Sequence, residues 1–378
     1  MKRINKLRLR GARVPFTAAL FSLLLAILVG CGGAGTPAPT EPVVEPTSPQ
    51  AAEAKIVISN WDAYMPEDLL TNFTAETGIE ATLALHATNE EIVGKLIASE
   101  GRGFDVVFVT GQFAQALNKL GLLAKLDHSK IPNLQQLYPE VSKLPFDPDN
   151  QFSVPYTWGT TGLCYRSDLL SSAPDSWLDL LQPSDEATGK TTMLQTERWL
   201  MLPAQKALGF SVNTTDEAEM QQVADLLKEA KTTLLAYDDT TFYSKLVSGE
   251  ASLVEAWDGW CNYGIAENPD IKFVIPKEGS DLWSDTMVIL ASSENLDAAH
   301  AFINYVLRPE IGVWVASNIL YKVPSREAME QLDPALITQF PNLGMSPADL
   351  LKQEALQDLG DAQPLYTQLA TEIIASGP

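Results

Sequence analysis

The sequence predicts an α/β fold built in two lobes, and three observations carry that prediction. Strand-like and helix-like runs alternate along the chain, as in parallel sheets flanked by helices. About 320 residues follow a Gly-, Pro- and Thr-rich stretch, more than one core comfortably holds. The alternation also occurs twice, interrupted by an extended, glycine-flanked segment.

In chain order, residues 2 to 13 carry Lys2, Arg3, Lys6, Arg8, Arg10 and Arg13 with no acid, and an apolar run from Val14 to Val29 follows. This pattern predicts an export signal over residues 1–30. The sequence Leu28-Val29-Gly30-Cys31 resembles the lipobox of bacterial lipoproteins, which implies that Cys31 carries lipid. Residues 31–54 contain almost no large apolar side chain and read as a flexible tether. Six basic and no acidic residues leave with the first 30, so the remaining 20 basic and 48 acidic residues carry a net charge of −28. Such a surface repels nucleic acid and anionic lipid, attracts cations and aids solubility. Cys164 and Cys261 remain, and their spacing leaves open whether they pair.

Four β-formers at Ile56 end in the loop Asn60-Trp61-Asp62-Ala63-Tyr64, and Pro66, Glu67 and Asp68 then predict the start of a helix running to Glu76 and stopped by Gly78. A strand over 80–85, a helix over 90–99 opened by Thr88 or Asn89 with Glu91, and a buried strand over 105–109 complete a βαβαβ run. After the turn cluster at Phe146–Asn150, the stretch Ser153–Gly162 reads as a crossing between lobes. The second set comprises strands at 163–166 and 190–194, helices at Trp177, 199–208 and 216–230, and strands at 251–257, 271–275 and 282–286. Leu253, Glu255 and Trp257 share one face of their strand. Helices over 298–306, 347–359 and 365–374 close the chain.

Three strand ends each deliver tryptophan and acid: Trp61 with Asp62 and Tyr64, Trp257 with Asp258, and Trp283 with Asp285. A core uses Trp sparingly and Asp hardly at all, and open α/β sheets bind ligands at the carboxyl ends of strands. Ring faces and carboxylates together suit a cation. A sugar would use the same residue types and is the chemical competitor. Catalysis has no support: the sequence lacks Gly-x-Ser-x-Gly, His-Glu-x-x-His and a phosphate-binding glycine loop, and His86, His128 and His300 lie far apart, reading as ordinary surface or helix positions rather than metal ligands. No cofactor is expected.

The succession Asn60-Trp61-Asp62-Ala63-Tyr64, Thr77-Gly78-Ile79, Asn89-Glu90, Phe104-Asp105-Val106-Val107, Pro145-Phe146-Asp147-Pro148, Val154-Pro155-Tyr156-Thr157-Trp158-Gly159, Ile275-Pro276-Lys277-Glu278-Gly279 and Leu307-Arg308-Pro309-Glu310 resembles the spermidine/putrescine-binding proteins of bacterial ABC importers. The resemblance implies a type II periplasmic-binding-protein clamshell with a mixed sheet in each lobe and a hinge between. Its boundaries would be 55–158 with 284–328 for the first lobe and 159–283 with 329–378 for the second. It implies a monomeric, lipid-anchored, extracytoplasmic receptor that hands a polyamine to an ABC permease and makes no contact with nucleic acid. Another small polar solute, such as a sugar or aminophosphonate, or presentation of a ligand to a membrane receptor, is the alternative.

Carried over position by position, the resemblance implies ligand contacts at Trp61, Tyr64, Thr110, Trp257, Trp283, Asp285 and Tyr321. Asp62 stands where Ser or Thr is usual, Gln112 where an aromatic or small residue is, and Ala63 where an acid is. At Gln195-Thr196-Glu197-Arg198-Trp199 the expected carboxylates become Thr196 and Trp199, with Glu197 one residue off. Asp239, aligned with a serine, and Asp258 and Glu255 beside Trp257 are the candidates to replace that charge. Gln357 is a candidate polar contact from the carboxyl end.

Overall fold

The computed structural model describes residues 54–376. The export signal, Cys31 and all of the tether except Ala54 lie outside the described residues. Eleven strands are present among the described residues: β1 (Lys55–Asn60), β2 (Glu80–Leu85), β3 (Val106–Thr110), β4 (Ser153–Gly159), β5 (Thr161–Arg166), β6 (Thr191–Met193), β7 (Ala236–Tyr237), β8 (Leu253–Trp257), β9 (Ile271–Val274), β10 (Asp281–Ile289) and β11 (Glu354–Ala355). They form two mixed sheets. The first has the order β11-β10-β3-β1-β2 with β4 also paired to β10; the second has the order β7-β6-β8-β5-β9.

The βαβαβ run appears as expected, with β1 parallel to both β2 and β3. Every residue of β3 is buried, as befits an apolar strand inside the sheet with β1 on one edge and β10 on the other. Thr88 caps the helix Asn89–Ala98 by accepting the Glu91 N–H, and Gly78 ends the helix Leu69–Thr77 at φ 73°, a left-handed conformation that glycine adopts without penalty. That helix starts later than its acids suggest: Pro66–Asp68 form a turn in which Leu69 N–H donates to the Pro66 carbonyl at 3.1 Å.

Two features correct the sequence reading. Trp283 and Asp285 do not end a strand; they lie inside β10, the longest strand, which pairs antiparallel with β3 and β4. The expected helix over 347–359 is helical only over Pro347–Leu350, and the chain then joins the start of β10 as β11. Helices Phe242–Ser248, Asp258–Glu267 and Pro309–Asn318 were not anticipated.

The chain leaves the first sheet between β4 and β5 and returns to it at β10, and these two crossings are bound side by side. Thr160 donates its hydroxyl to the Asp281 carbonyl at 2.7 Å, Thr161 N–H donates to Asp281 Oδ1 at 2.8 Å, and Ser280 donates to the Thr161 carbonyl at 2.6 Å. A third segment lies against them, with Trp158 N–H donating to the Lys322 carbonyl at 3.1 Å. Cys164 and Cys261 form a disulfide, with Cα atoms 5.8 Å apart, that joins β5 to helix Asp258–Glu267. The carboxyl-terminal helix Gln363–Ala375 packs on the second set through Tyr366, which donates to the Thr214 carbonyl and accepts from Gln205.

Candidate functional site

The loop after β1 is shaped by Asn60, whose buried side-chain oxygen accepts the Trp61 N–H at 2.8 Å, and by Ala63 at φ 54°. That left-handed residue turns the chain so that Trp61 and Tyr64 meet edge to face with ring centroids 5.4 Å apart. Trp61 also meets His86 edge-on at 4.9 Å. His86 is therefore neither surface nor helical: it is buried, its Nδ1 is 2.8 Å from Ser59 Oγ, and burial lowers its pKa to about 4. Asp62 is exposed, with no part in this contact set.

Around Tyr64 the first cluster assembles from four separate segments. Its hydroxyl donates to Asp285 Oδ2 at 2.7 Å and lies 2.9 Å from Thr157 Oγ1. Thr110 donates to Asp285 Oδ1 at 2.8 Å and is held by Asn89, which exchanges hydrogen bonds with both its hydroxyl and its N–H. Thr157 sits directly across from Asp285 where the β4–β10 register shifts, a local irregularity of the kind that re-aims side chains beside sites. Burial pushes the Asp285 carboxyl above its usual range, against which the three hydroxyls act; hydrogen bonds to a charged group contribute about 1.5–3 kcal/mol each.

Tyr321 closes one side of this cluster, its ring 5.1 Å from Trp283 and 6.2 Å from Tyr64. Two glycines make that approach fit. A Cβ on Gly259 would lie 2.1 Å from the Tyr321 ring, and one on Gly159 would lie 2.3 Å from Trp283 and 2.5 Å from Asp258 Oδ1. Asp258 thus sits at the crossing, buried, accepting the Gly259 N–H at 2.9 Å. Burial raises its carboxyl, and the Lys322 ammonium opposes that rise; burial in turn lowers Lys322, whose ammonium donates to the carbonyls of Asn342, Leu343 and Met345.

A second cluster forms at the carboxyl ends of β6, β7 and β8. Asp239 accepts from Gln195 N–H at 2.7 Å and from the Thr196 hydroxyl at 3.1 Å, and burial raises its pKa. Trp257 stands edge-on to Trp199 at 5.3 Å, and Trp199 donates its indole N–H to buried Asp281 at 2.9 Å. Glu255, fully buried, accepts the Leu194 N–H at 3.0 Å.

Of the residues singled out from sequence, Trp61, Tyr64, Thr110, Trp283, Asp285 and Tyr321 meet in the first cluster. Thr196, Asp239 and Trp257 belong to the second, and Asp258 lies between. Gln112 is buried with its Nε2 lacking a partner among the described residues. Gln357 engages through its backbone, its carbonyl accepting from Arg198 at 2.7 Å, and Glu197 is taken by Gln363. Sequence reasoning missed Thr157, Tyr156, whose hydroxyl donates to the Tyr64 carbonyl at 2.6 Å, and Asp281. The strand Val154-Pro155-Tyr156-Thr157 held the signal, since alternation puts Thr157 on the face opposite its neighbours. Among the described residues no group of three His, Cys, Asp or Glu side chains is arranged to hold a metal ion.

Residues 68–343 match the family described as bacterial extracellular solute-binding protein. The spermidine/putrescine-binding periplasmic protein of Salmonella typhimurium is 32% identical over 312 residues, which is 82% of this chain and 88% of that one. The putrescine-binding periplasmic protein PotF of Escherichia coli is 31% identical, covering 79% of this chain and 85% of the relative. Among solved structures, the spermidine/putrescine ABC transporter substrate-binding protein PotD of Streptococcus pneumoniae superposes with a TM-score of 0.74 at 28% identity, over 85% of this chain and 98% of that chain. The PotD lipoprotein of Treponema pallidum gives 0.75 at 27% identity, over 84% and 99%.

Proposed function

We propose, for a chain that belongs to the bacterial extracellular solute-binding proteins and within them to the spermidine/putrescine-binding family of ABC importers, that its ligand is a polyamine held in an aromatic and acidic cleft. The chain is a binding component and not an enzyme, and its family works outside the cytoplasm.

The observation that carries the ligand reading is Asp285: a half-buried carboxylate framed by the hydroxyls of Tyr64, Thr110 and Thr157, next to the rings of Trp61, Trp283 and Tyr321. Hydroxyls orient the carboxylate without neutralising it, so the charge stays available to an ammonium group, and the partly exposed rings of Trp61 and Trp257 favour the methylenes between amines. The opposite wall is Trp257 with Asp239, and Thr196 and Gln195 aim that carboxylate. Asp62, Gln112 and Asp258 are further candidates on the rim and at the crossing. The lobes, with boundaries near residues 159, 284 and 329, close on the ligand and present it to an ABC permease. Lipid on Cys31 holds the protein, as a monomer, at the outer face of a membrane.

Calorimetry against spermidine, putrescine and their relatives tests this reading. Heat with at least one of them is expected. No heat with any, together with a response to a sugar or an aminophosphonate, contradicts it. Permease and ATPase genes beside this one are expected for an importer, whereas a neighbouring membrane receptor gene in their place indicates ligand presentation.

A further inference from the structure

Against the loop that carries Trp61 lies a histidine with one ring nitrogen unused. His86 follows β2 and is 5% exposed; its Nδ1 lies 2.8 Å from Ser59 Oγ, and its Nε2 has no partner among the described residues. A buried polar atom without a partner costs free energy that an apolar ring in the same place would not incur, so its presence calls for a reason. The backbone around it is closely tied. His86 N–H donates to the Asn60 carbonyl at 3.2 Å, and the Asn60 side-chain oxygen accepts the Trp61 N–H at 2.8 Å. The ends of β1 and β2 are thereby clasped, and the imidazole and indole meet with centroids 4.9 Å apart at 64°.

Trp61 is held by its ring neighbours. Its indole N–H makes no hydrogen bond among the described residues, so packing sets the angle of a side chain that is partly exposed. The rings it meets are Tyr64 and His86, and both are anchored. The Tyr64 hydroxyl is engaged with Asp285 and Thr157, and the His86 ring with Ser59 of β1. A partly exposed ring on a loop keeps one rotamer only where its neighbours exclude the others. Burial lowers the His86 pKa to about 4, so near neutral pH the imidazole is uncharged and sets no cation beside the indole to compete with an ammonium group.

We propose that His86 is a positioning residue for ligand recognition, its ring oriented by Ser59 and holding Trp61 at the angle from which the accessible part of the indole receives the methylenes of an amine. His86 acts through Trp61 and does not touch the ligand. Without it the indole gains rotamers, and ordering that one side chain at binding costs about two- to tenfold in affinity. The proposal rests on the polyamine reading above.

The test is calorimetry with putrescine and spermidine near neutral pH on the full chain, on His86→Ala, His86→Phe and Trp61→Ala, and on the double variant of His86→Ala with Trp61→Ala. His86→Ala is expected to bind about two- to tenfold more weakly than wild type, and His86→Phe, which keeps a ring against Trp61, to recover most of that loss. In the Trp61→Ala background, where Asp285 still supplies binding, His86→Ala is expected to cost nothing further, because residues acting as one unit are not additive. Equal affinity of His86→Ala and wild type overturns the proposal, and so does an equal loss with and without Trp61, the mark of a general structural role. Fluorine NMR of unliganded chains labelled with fluorotryptophan keeps this failure apart from that of the polyamine reading, the Trp61 line being assigned by its loss in Trp61→Phe. Wild type is expected to show one narrow Trp61 line, shifted or broadened in His86→Ala and, to a smaller extent, in Ser59→Ala, which leaves the packing filled. An unchanged Trp61 line in His86→Ala, or in Ser59→Ala where His86→Ala does not fold, overturns the proposal whatever binds. No heat from wild type with either amine overturns the polyamine reading instead.

Discussion

Asp285 and Glu255 illustrate two ways of keeping a carboxylate inside a protein. Asp285 meets hydroxyls from the loop after β1, from the end of β3 and from β4, so both its oxygens have donors and its orientation is fixed by the protein's own groups. Glu255 meets one backbone N–H and leaves an oxygen bare. The difference lies in what meets each carboxylate: hydroxyls reach both oxygens of Asp285, whereas a single backbone N–H reaches Glu255. Between the two lie the crossings, where Gly159 lets Trp283 and Asp258 pack against the backbone.

The largest expected effect on binding is at that junction. Gly159→Ala places a methyl against both Trp283 and Asp258 Oδ1, so it is expected to cost about 1–3 kcal/mol of stability through overpacking and to disrupt the first cluster from behind. Calorimetry should find binding lost, with a lowered thermal midpoint; wild-type affinity would show that the two side chains move aside freely.

A larger loss of stability, without loss of recognition, is expected where the disulfide joins β5 to helix Asp258–Glu267. The disulfide closes a sequence separation of 97 residues. Replacing Cys164 and Cys261 by Ser should lower stability by about 2–5 kcal/mol in denaturant titrations. Affinity should hold at temperatures where the variant is folded, because neither cysteine is among the cluster residues.

The smallest effect is a pH dependence. Glu255 has its pKa raised by folding, so the stability it contributes is fully present below its unfolded value of about 4 and is lost as pH rises through the higher folded value. Glu255→Gln does not ionise. Its thermal midpoint relative to wild type should therefore climb by a few degrees between pH 5 and pH 8; a difference constant with pH would place Glu255 in an ordinary, unshifted setting.

Much of the fold was legible because the first set of elements obeys simple rules. The strands β1 to β3 are apolar runs, Thr88 is a cap, and Gly78 is a stop. Helix Asp258–Glu267 was not legible: it contains Gly259 and Gly264 and buries side chains around most of its circumference, so no helical period shows. The ring-and-acid residues were legible as a set, but not their grouping. Tyr64, Thr110 and Asp285 are brought together by strand pairing between segments some 175 to 221 residues apart, which no local pattern encodes. Trp283 stood out as the ring paired with Asp285, but local sequence does not show that Tyr321 and the bare backbone at Gly159 cover it to 4% exposure. Glu255 stood out beside Trp257 by alternation, but its unpartnered oxygen is a property of three-dimensional packing alone.

The central claim is that Asp285 receives an ammonium group, and Asp285→Ala tests it most directly. Titration of this variant and of wild type with spermidine and putrescine should show affinity reduced at least tenfold, in line with a charge-assisted contact of about 1.5–3 kcal/mol, with secondary structure unchanged. An affinity equal to wild type would contradict the account and place the cation elsewhere in the molecule.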